Sequence, residues 1–230
     1  MQIEPLSIRC HHMGGMLMNC FLVSAGPEAR ELLVIDPGDE PERILAAAAG
    51  RRIRRIVLTH RHPDHIGALH RLVEETGAEV FAHRLDAPHI ADPFLDDEVL
   101  GDIKGAQGID VLLEEGDRVP VGDAGGAQSA GRRAEEQEAA QHLLVLHTPG
   151  HTIGSICLYD AQGAALVSGD TLFRASCGRT DFNTGNEAQM RESLRRLATL
   201  PDEVLVYPGH DETTSIGWEK RFGILRPFTA

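Results

Sequence analysis

Four side chains of metal-ligand type fall within six residues of this 230-residue chain: His60, His62, Asp64 and His65, in Thr59-His60-Arg61-His62-Pro63-Asp64-His65. With 12 His and 16 Asp in the chain, an H-x-H-x-D-H run arises by chance in roughly two such chains in a thousand, so it is read as a motif. His60 and His62 are two apart and point the same way in extended backbone. Pro63 keeps His62 extended, because a residue before proline avoids the helical region. Asp64 and His65 then sit at the mouth of the next helix, aimed differently. The spacing offers one ligand pair and, beside it, a second.

Three more candidates follow strand-like runs and glycine-bearing turns: His151 in Thr148-Pro149-Gly150-His151-Thr152, Asp170 in Ser168-Gly169-Asp170-Thr171, and His210 in Tyr207-Pro208-Gly209-His210. Five His and two Asp suit two zinc-like ions bridged by a carboxylate and a water. A purely structural zinc site is typically closed and rich in cysteine, whereas no Cys falls within this spacing. The remaining histidines, His11, His12, His70, His83, His89, His142 and His147, are read as surface or core residues satisfied by hydrogen bonds.

The elements that must hold these residues are short. Strands are expected at Ile3–Ile8, Leu17–Val23, Glu31–Ile35, Ile53–Leu58 and Val80–Ala82, with helices from Pro41 to Ala49 and over Ile66–Thr76, the latter carrying Ile66, Leu69, Leu72 and Val73 at helical spacing. Further strands are expected near Asp110–Leu113, Leu143–Leu146, Ile156–Tyr159, Ala165–Val167 and Val204–Tyr207, with a helix over Glu187–Leu200. Residues 84–108 show no clear period and are read as short helices and loop, with their acidic run Asp96-Asp97-Glu98 as solvated surface. Residues 122–141, rich in Gly, Ala, Gln and Glu, read as a surface insertion. Two halves of strands then helix, with no linker between, predict a single domain over 1–230: an α/β (α+β) protein of stacked sheets with helices outside.

Composition sets outer limits. Hydrophobic residues at 42% and charged residues at 25% are globular proportions, and the 4% aromatic share calls for an aliphatic core. The formal charge of -13 repels phosphate backbones, so nucleic acid is not an expected partner. Apolar stretches such as Ile44–Ala49 are too short to cross a bilayer, so no membrane is expected either. Met1–Arg9 lacks the basic start and apolar run of a signal peptide. Cys10, Cys20, Cys157 and Cys177 form no C-x-x-C pair and are read as free thiols in a reducing, cytoplasmic setting.

In order and separation, His60, His62, Asp64, His65, His151, Asp170 and His210 resemble the hydrolase pattern of the metallo-β-lactamase superfamily over nearly the full chain. The resemblance implies an αββα sandwich of two mixed sheets flanked by helices, with the metals at one edge. It implies that His60, His62 and His151 hold one ion, that Asp64, His65 and His210 hold the other, and that Asp170 bridges. Asp36 matches a position that supports the site without binding metal. Gly169-Asp170-Thr171-Leu172-Phe173, Gly178-Arg179-Thr180-Asp181-Phe182, Tyr207-Pro208-Gly209-His210, Thr213-Thr214-Ser215-Ile216-Gly217 and Glu219-Lys220-Arg221 are similar to glyoxalase II and its short bacterial relatives. The chain departs from that family in lacking its C-terminal glutathione-gripping helical extension and in carrying Asp181 where it has a tyrosine.

The reaction this resemblance implies is hydrolysis. Two divalent ions, zinc first with iron or manganese as substitutes, lie about 3.5–4 Å apart and share a hydroxide that attacks a thioester or related ester carbonyl. Asp64 and Asp170 are the expected catalytic carboxylates, and Arg174 and Arg179 the expected contacts to a small acyl thioester or ester substrate. The segment Cys177-Gly178-Arg179-Thr180-Asp181-Phe182 also resembles persulfide dioxygenases of the same superfamily, which implies one iron on His62, His151 and Asp170. A lactonase, and a metal-dependent binding module without catalysis, are the remaining alternatives.

Overall fold

The structure is a computed structural model and describes residues 1–91, 108–122 and 141–229. Apart from its end residues, the expected insertion at 122–141 lies outside the described residues, as does the acidic run at 96–98. The first sheet is built from β1 (Gln2–Cys10), β2 (Met16–Ser24), β3 (Glu31–Ile35), β4 (Arg52–Leu58), β5 (Glu79–His83) and β6 (Val111–Leu113), adjacent in chain order. Its first two pairings are antiparallel and the next three parallel. The second sheet runs β7 (Arg118–Pro120), β8 (His142–His147), β9 (Ile156–Asp160), β10 (Ala165–Gly169), β11 (Leu205–Pro208) and β12 (Thr214–Ser215), with only β10 and β11 parallel.

Side-chain alternation along the strands sorts the core into three layers. Phe21, Val23, Leu33, Ile35 and Val57 meet Val119, Val145, Leu158 and Val167 between the sheets. The intervening residues Cys20, Leu22, Leu32, Val34, Ile56 and Leu58 turn outward, onto α1 (Pro41–Ala47) and α3 (Leu69–Thr76), packing with Ile44, Leu69 and Leu72. On the other side, Cys157, Leu166 and Val206 pack with Met190, Leu194 and Leu197 of α5 (Glu187–Leu197) and Ile216 of α6 (Ile216–Arg221). Strands buried on both faces read as continuous apolar runs, as β3 and β10 do. The αββα sandwich is therefore present, with two six-stranded mixed sheets between helices.

Three elements differ from the sequence expectation. The helix expected over 66–76 is two pieces, α2 (Pro63–Ile66) and α3, and at the break the Ala68 N–H donates to Pro37 O at 2.9 Å. The first helix stops at Ala47, because Ala49 and Gly50 both adopt positive φ (52° and 81°). α5 stops at Leu197, short of Leu200, which precedes Pro201 and is disfavoured in helical backbone. α4 (Ala87–Ala91) falls in the stretch that showed no clear period. Among the described residues no helix is long and apolar enough to cross a membrane.

Candidate metal centre

Most of the site residues directly follow the C-terminal end of a strand. Asp36 follows β3, His60 and His62 follow β4, His151 follows β8, Asp170 follows β10 and His210 follows β11. Loops at strand ends leave side chains free while the sheet fixes their origin. His62 is extended (φ -65°, ψ 149°) as the N-cap residue of α2, and Pro63 starts that helix, which carries Asp64 and His65. Two glycines let the loops close on one another. A Cβ at Gly38 would lie 1.8 Å from Asp64 O, and one at Gly209 would lie 2.5 Å from Asp170 Oδ1 and 2.7 Å from the His65 ring.

The structure brings six of the seven predicted ligands into two adjoining sets, His60, His62 and His151, and Asp64, His65 and His210, with Asp170 between them. In the first, His62 Nδ1 lies 2.8 Å from His151 Nε2. In the second, His210 Nε2 lies 3.1 Å from Asp64 Oδ2 and 3.4 Å from His65 Nε2. Asp170 faces both, with Oδ1 3.4 Å from His65 Nε2 and Oδ2 3.4 Å from His151 Nε2 and 3.7 Å from His210 Nε2.

Hydrogen bonds at the far side of each ring set the tautomers. His65 Nδ1 lies 2.9 Å from Asp36 Oδ2, His151 Nδ1 2.7 Å from Arg179 O, and His210 Nδ1 2.8 Å from Leu17 O. Those partners are acceptors only, so each Nδ1 carries a hydrogen, and each Nε2 faces the cluster, where its lone pair would serve a metal ion. Thr59 donates its hydroxyl to Asp36 Oδ2 (2.6 Å), which leaves that oxygen to accept from His60 Nδ1 at 3.1 Å. His60 Nε2 is then a buried acceptor with no hydrogen-bond partner among the described residues, and Asp170 Oδ1 is a second. A cation satisfies both, and imidazole nitrogens held from behind by a carboxylate or a carbonyl are the arrangement metals select. The residues fit a pair of divalent ions.

Electrostatics agree. Burial, and then the neighbouring imidazoles, push His60 well below the ordinary histidine range. The same causes, burial first and His151 next, push His62 down to about 3. For His65, burial opposes the charge, but Asp64, Asp170 and Asp36 around it prevail and raise it well above the usual value. Burial also opposes ionisation of Asp64 and Asp170, yet the adjacent His65, with His210 in both cases, holds each carboxyl below its ordinary range. Three carboxylates converge on His65, a concentration of negative charge that a bound cation would offset.

Three supporting residues had no motif to announce them. Asp86, 1% exposed, accepts from Arg61 N (3.2 Å), Thr152 Oγ1 (2.6 Å) and Gly154 N (2.9 Å), tying the His60–His62 loop to the His151 loop. Asn19 braces the third loop, donating its side-chain amide to Pro208 O (3.0 Å) and Asp211 O (2.9 Å). Thr59 reaches Asp36 through its N–H as well as its hydroxyl, the former at 2.7 Å. Asp36 itself has a left-handed backbone (φ 51°), the region Asp tolerates better than most residues.

A cleft of about 540 Å³ opens over the cluster, lined by His62, Asp64, His151, Asp170 and His210 and, above them, by Met13, Met16, Phe173, Arg179 and Phe182. Arg179 is therefore at the cleft. Arg174 does not line it; its guanidinium sits 4.9 Å from the Trp218 ring centre and 3.5 Å from Glu212. Cys177 lines a separate recess with Met190 and Phe228. The four cysteines are free.

Residues 14–210 match the family described as the metallo-beta-lactamase superfamily. An uncharacterised protein of Aquifex aeolicus is 35% identical over 91% of this chain and 92% of its own length. The hydroxyacylglutathione hydrolase of Rhodospirillum rubrum is 37% identical over 78% of this chain, and the match spans 57% of that longer protein. Among solved structures, BLEG-1 B3 metallo-beta-lactamase superposes with a TM-score of 0.80 at 26% identity, covering 99% of both chains. TTHA1623 in a di-iron-bound form superposes at 0.72 with 34% identity over 96% of this chain and 98% of that one. ETHE1 from Myxococcus xanthus superposes at 0.70 with 30% identity over 100% and 88%.

Proposed function

The chain belongs to the metallo-β-lactamase superfamily, and from that footing we propose a binuclear metal-dependent hydrolase of a thioester or related ester carbonyl. The observation that carries this reading is the pair of adjoining donor sets with the Asp170 carboxylate facing both. In it, His60, His62 and His151 would hold one divalent ion and Asp64, His65 and His210 the second, with Asp170 serving both. Zinc and iron both suit imidazole and carboxylate donors, and the similar di-iron structure keeps iron in view. The ligands come from both sheets, which supports reading the described residues as one domain.

When bound, such a pair of ions supplies a water acidified to near pH 7 and Lewis acidity at the carbonyl oxygen. The chain's own groups do the rest. Asp170, its carboxyl held below the ordinary range, would face the ions and orient the attacking water as a hydrogen-bond acceptor. Asp64, fixed by His210, is the second carboxylate at the reacting edge. The walls of the cleft would position the carbonyl over the cluster. The same arrangement opens a lactone. No serine or cysteine nucleophile is required, and burial and position keep Cys177 out of the reaction.

One observation favours a second reading. His62, His151 and Asp170 converge on one side, a two-histidine, one-carboxylate set of the kind that holds a single oxygen-activating iron. A persulfide dioxygenase of that type leaves Asp64, His65 and His210 without a purpose, although they are as fully assembled as the first set. Metal content of protein purified without added metal or chelator separates the two. Close to two ions per chain, with turnover on a thioester and lactone panel, is the expected result. One iron per chain, with oxygen uptake on a persulfide, overturns the hydrolase reading.

A further inference from the structure

The cleft has a reactive floor and walls of different chemistry, and the walls bear on what else the substrate carries. Met13, Met16, Phe173 and Phe182 surround the space above the ligands. Met13 and Met16 are 39% and 41% exposed, so this apolar surface reaches from the cluster out to solvent. Arg179 is the one arginine or lysine that lines the cleft among the described residues, and its charge is already answered. Its Nε lies 2.6 Å from Asp181 Oδ1 and its Nη2 2.7 Å from Asp181 Oδ2, a two-pronged pair, while its guanidinium lies 3.9 Å from the centre of the Phe182 ring. Asp181 is held ionised by that contact, with its carboxyl pulled down to about 2. Arg174, the other candidate cation, faces Glu212.

We infer that the part of the substrate remote from the scissile carbonyl is uncharged and apolar, and that Asp181 sets this preference by occupying Arg179. The inference rests on the hydrolase reading above and adds the substrate class to it. A carboxylate on the substrate meets an arginine already paired through Nε and Nη2 with a carboxylate, beside Asp64 and Asp170 and within a chain of net charge -13. An alkyl or aryl chain meets two thioethers and two phenyl rings, surfaces that adapt to apolar shapes without demanding polar partners. Asp181 is a specificity-determining residue in this account and takes no part in the chemical step.

The test uses a matched pair of thioesters of one neutral aryl thiol, hexanoyl and adipoyl, which differ in a terminal methyl against a carboxylate. The metal-loaded wild-type protein is expected to favour hexanoyl in kcat/KM by about tenfold. Asp181→Asn frees Arg179 and is expected to shift that ratio toward adipoyl by about tenfold, a shift abolished in Arg179→Gln/Asp181→Asn. Calorimetric binding of 2-octanone and 7-oxooctanoate, which cannot be hydrolysed, gives a readout independent of turnover. Stronger binding of the neutral ketone by wild type, narrowed in Asp181→Asn, supports the inference even if neither thioester is cleaved, a result that sinks the hydrolase reading alone. Preference for the anionic member of either pair in wild type, or a ratio untouched by Asp181→Asn, overturns the inference.

Discussion

His60 shows how a single side chain is committed before any ion arrives. Thr59 fixes one nitrogen, burial strips water from the other, and the lone pair is left without a partner among the described residues. His60→Ala removes one of three donors from the first set. Metal content should fall from two ions toward one per chain and turnover by at least about a thousandfold, with both sheets intact by circular dichroism. Full activity in that variant contradicts the assignment. Asp86 makes a complementary case, since it touches no ligand side chain. Asp86→Ala strands three buried donors and should cost about 2–4 kcal/mol in urea unfolding. It should also weaken metal affinity about 10–100-fold through the two loops it joins, with Asp86→Asn intermediate. Unchanged metal affinity at reduced stability would restrict Asp86 to the fold. The seven candidate ligands were legible in the sequence because their types are uncommon and their spacing is tight. Asp86 was not, because its partners Arg61, Thr152 and Gly154 meet it only through tertiary contact.

At the scale of elements, most strands could be read from their apolar runs, and so could the placing of ligands after them. What escaped was decided by neighbours rather than by local pattern. β7 and β12 have three and two residues, too few to display a period. The break between α2 and α3 depends on Pro37, some thirty residues away, accepting from Ala68 N. Arg174 and Arg179 looked equivalent as local cations, and only the structure separates the one that lines the cleft from the one turned onto Trp218. The loops also carry a steric condition. Gly209→Ala drives a Cβ to 2.5 Å from Asp170 Oδ1 and must displace the His210 loop, the Asp170 carboxylate or the His65 ring. The second ion should be lost preferentially, visible as a stoichiometry near one, while the thermal transition of the chelated protein moves little. Retention of two tightly held ions would show that the loop has more freedom than the packing implies.

For the molecule as a whole, the buried cluster ties stability to metal and to pH. An ion that binds only the folded chain adds about 2.7 kcal/mol at a hundred times its dissociation constant. Chelation should therefore lower the melting temperature, and restoring the metal should raise it; identical transitions with and without chelator argue against a bound pair. A second dependence lies away from the ligands. His83 stacks on His147 with ring centres 4.1 Å apart, and burial, then His147 and Arg84, push it down to about 4. The unfolded chain takes up this proton near the ordinary histidine value of about 6.5, before the folded chain does. Its contribution is thus fully present above pH 6.5 and is lost as pH falls from there toward 4. In chelator, urea midpoints of wild type should fall more steeply over that range than those of His83→Asn. Parallel curves would remove His83 from the acid limb.

The order in which the ligands occur along the chain has a consequence for how the protein is made. His60, His62, Asp64 and His65 leave the ribosome together, but His210 follows His65 by 145 residues, roughly 7–30 s of synthesis at ordinary elongation rates. Until His151 emerges the first donor set is one side chain short, and until His210 emerges so is the second. The carbonyls of Leu17 and Arg179 orient His210 and His151 only once the second sheet is in place. Tight capture is therefore a late event, and the identity of the resident metal follows the supply a finished chain meets after its release.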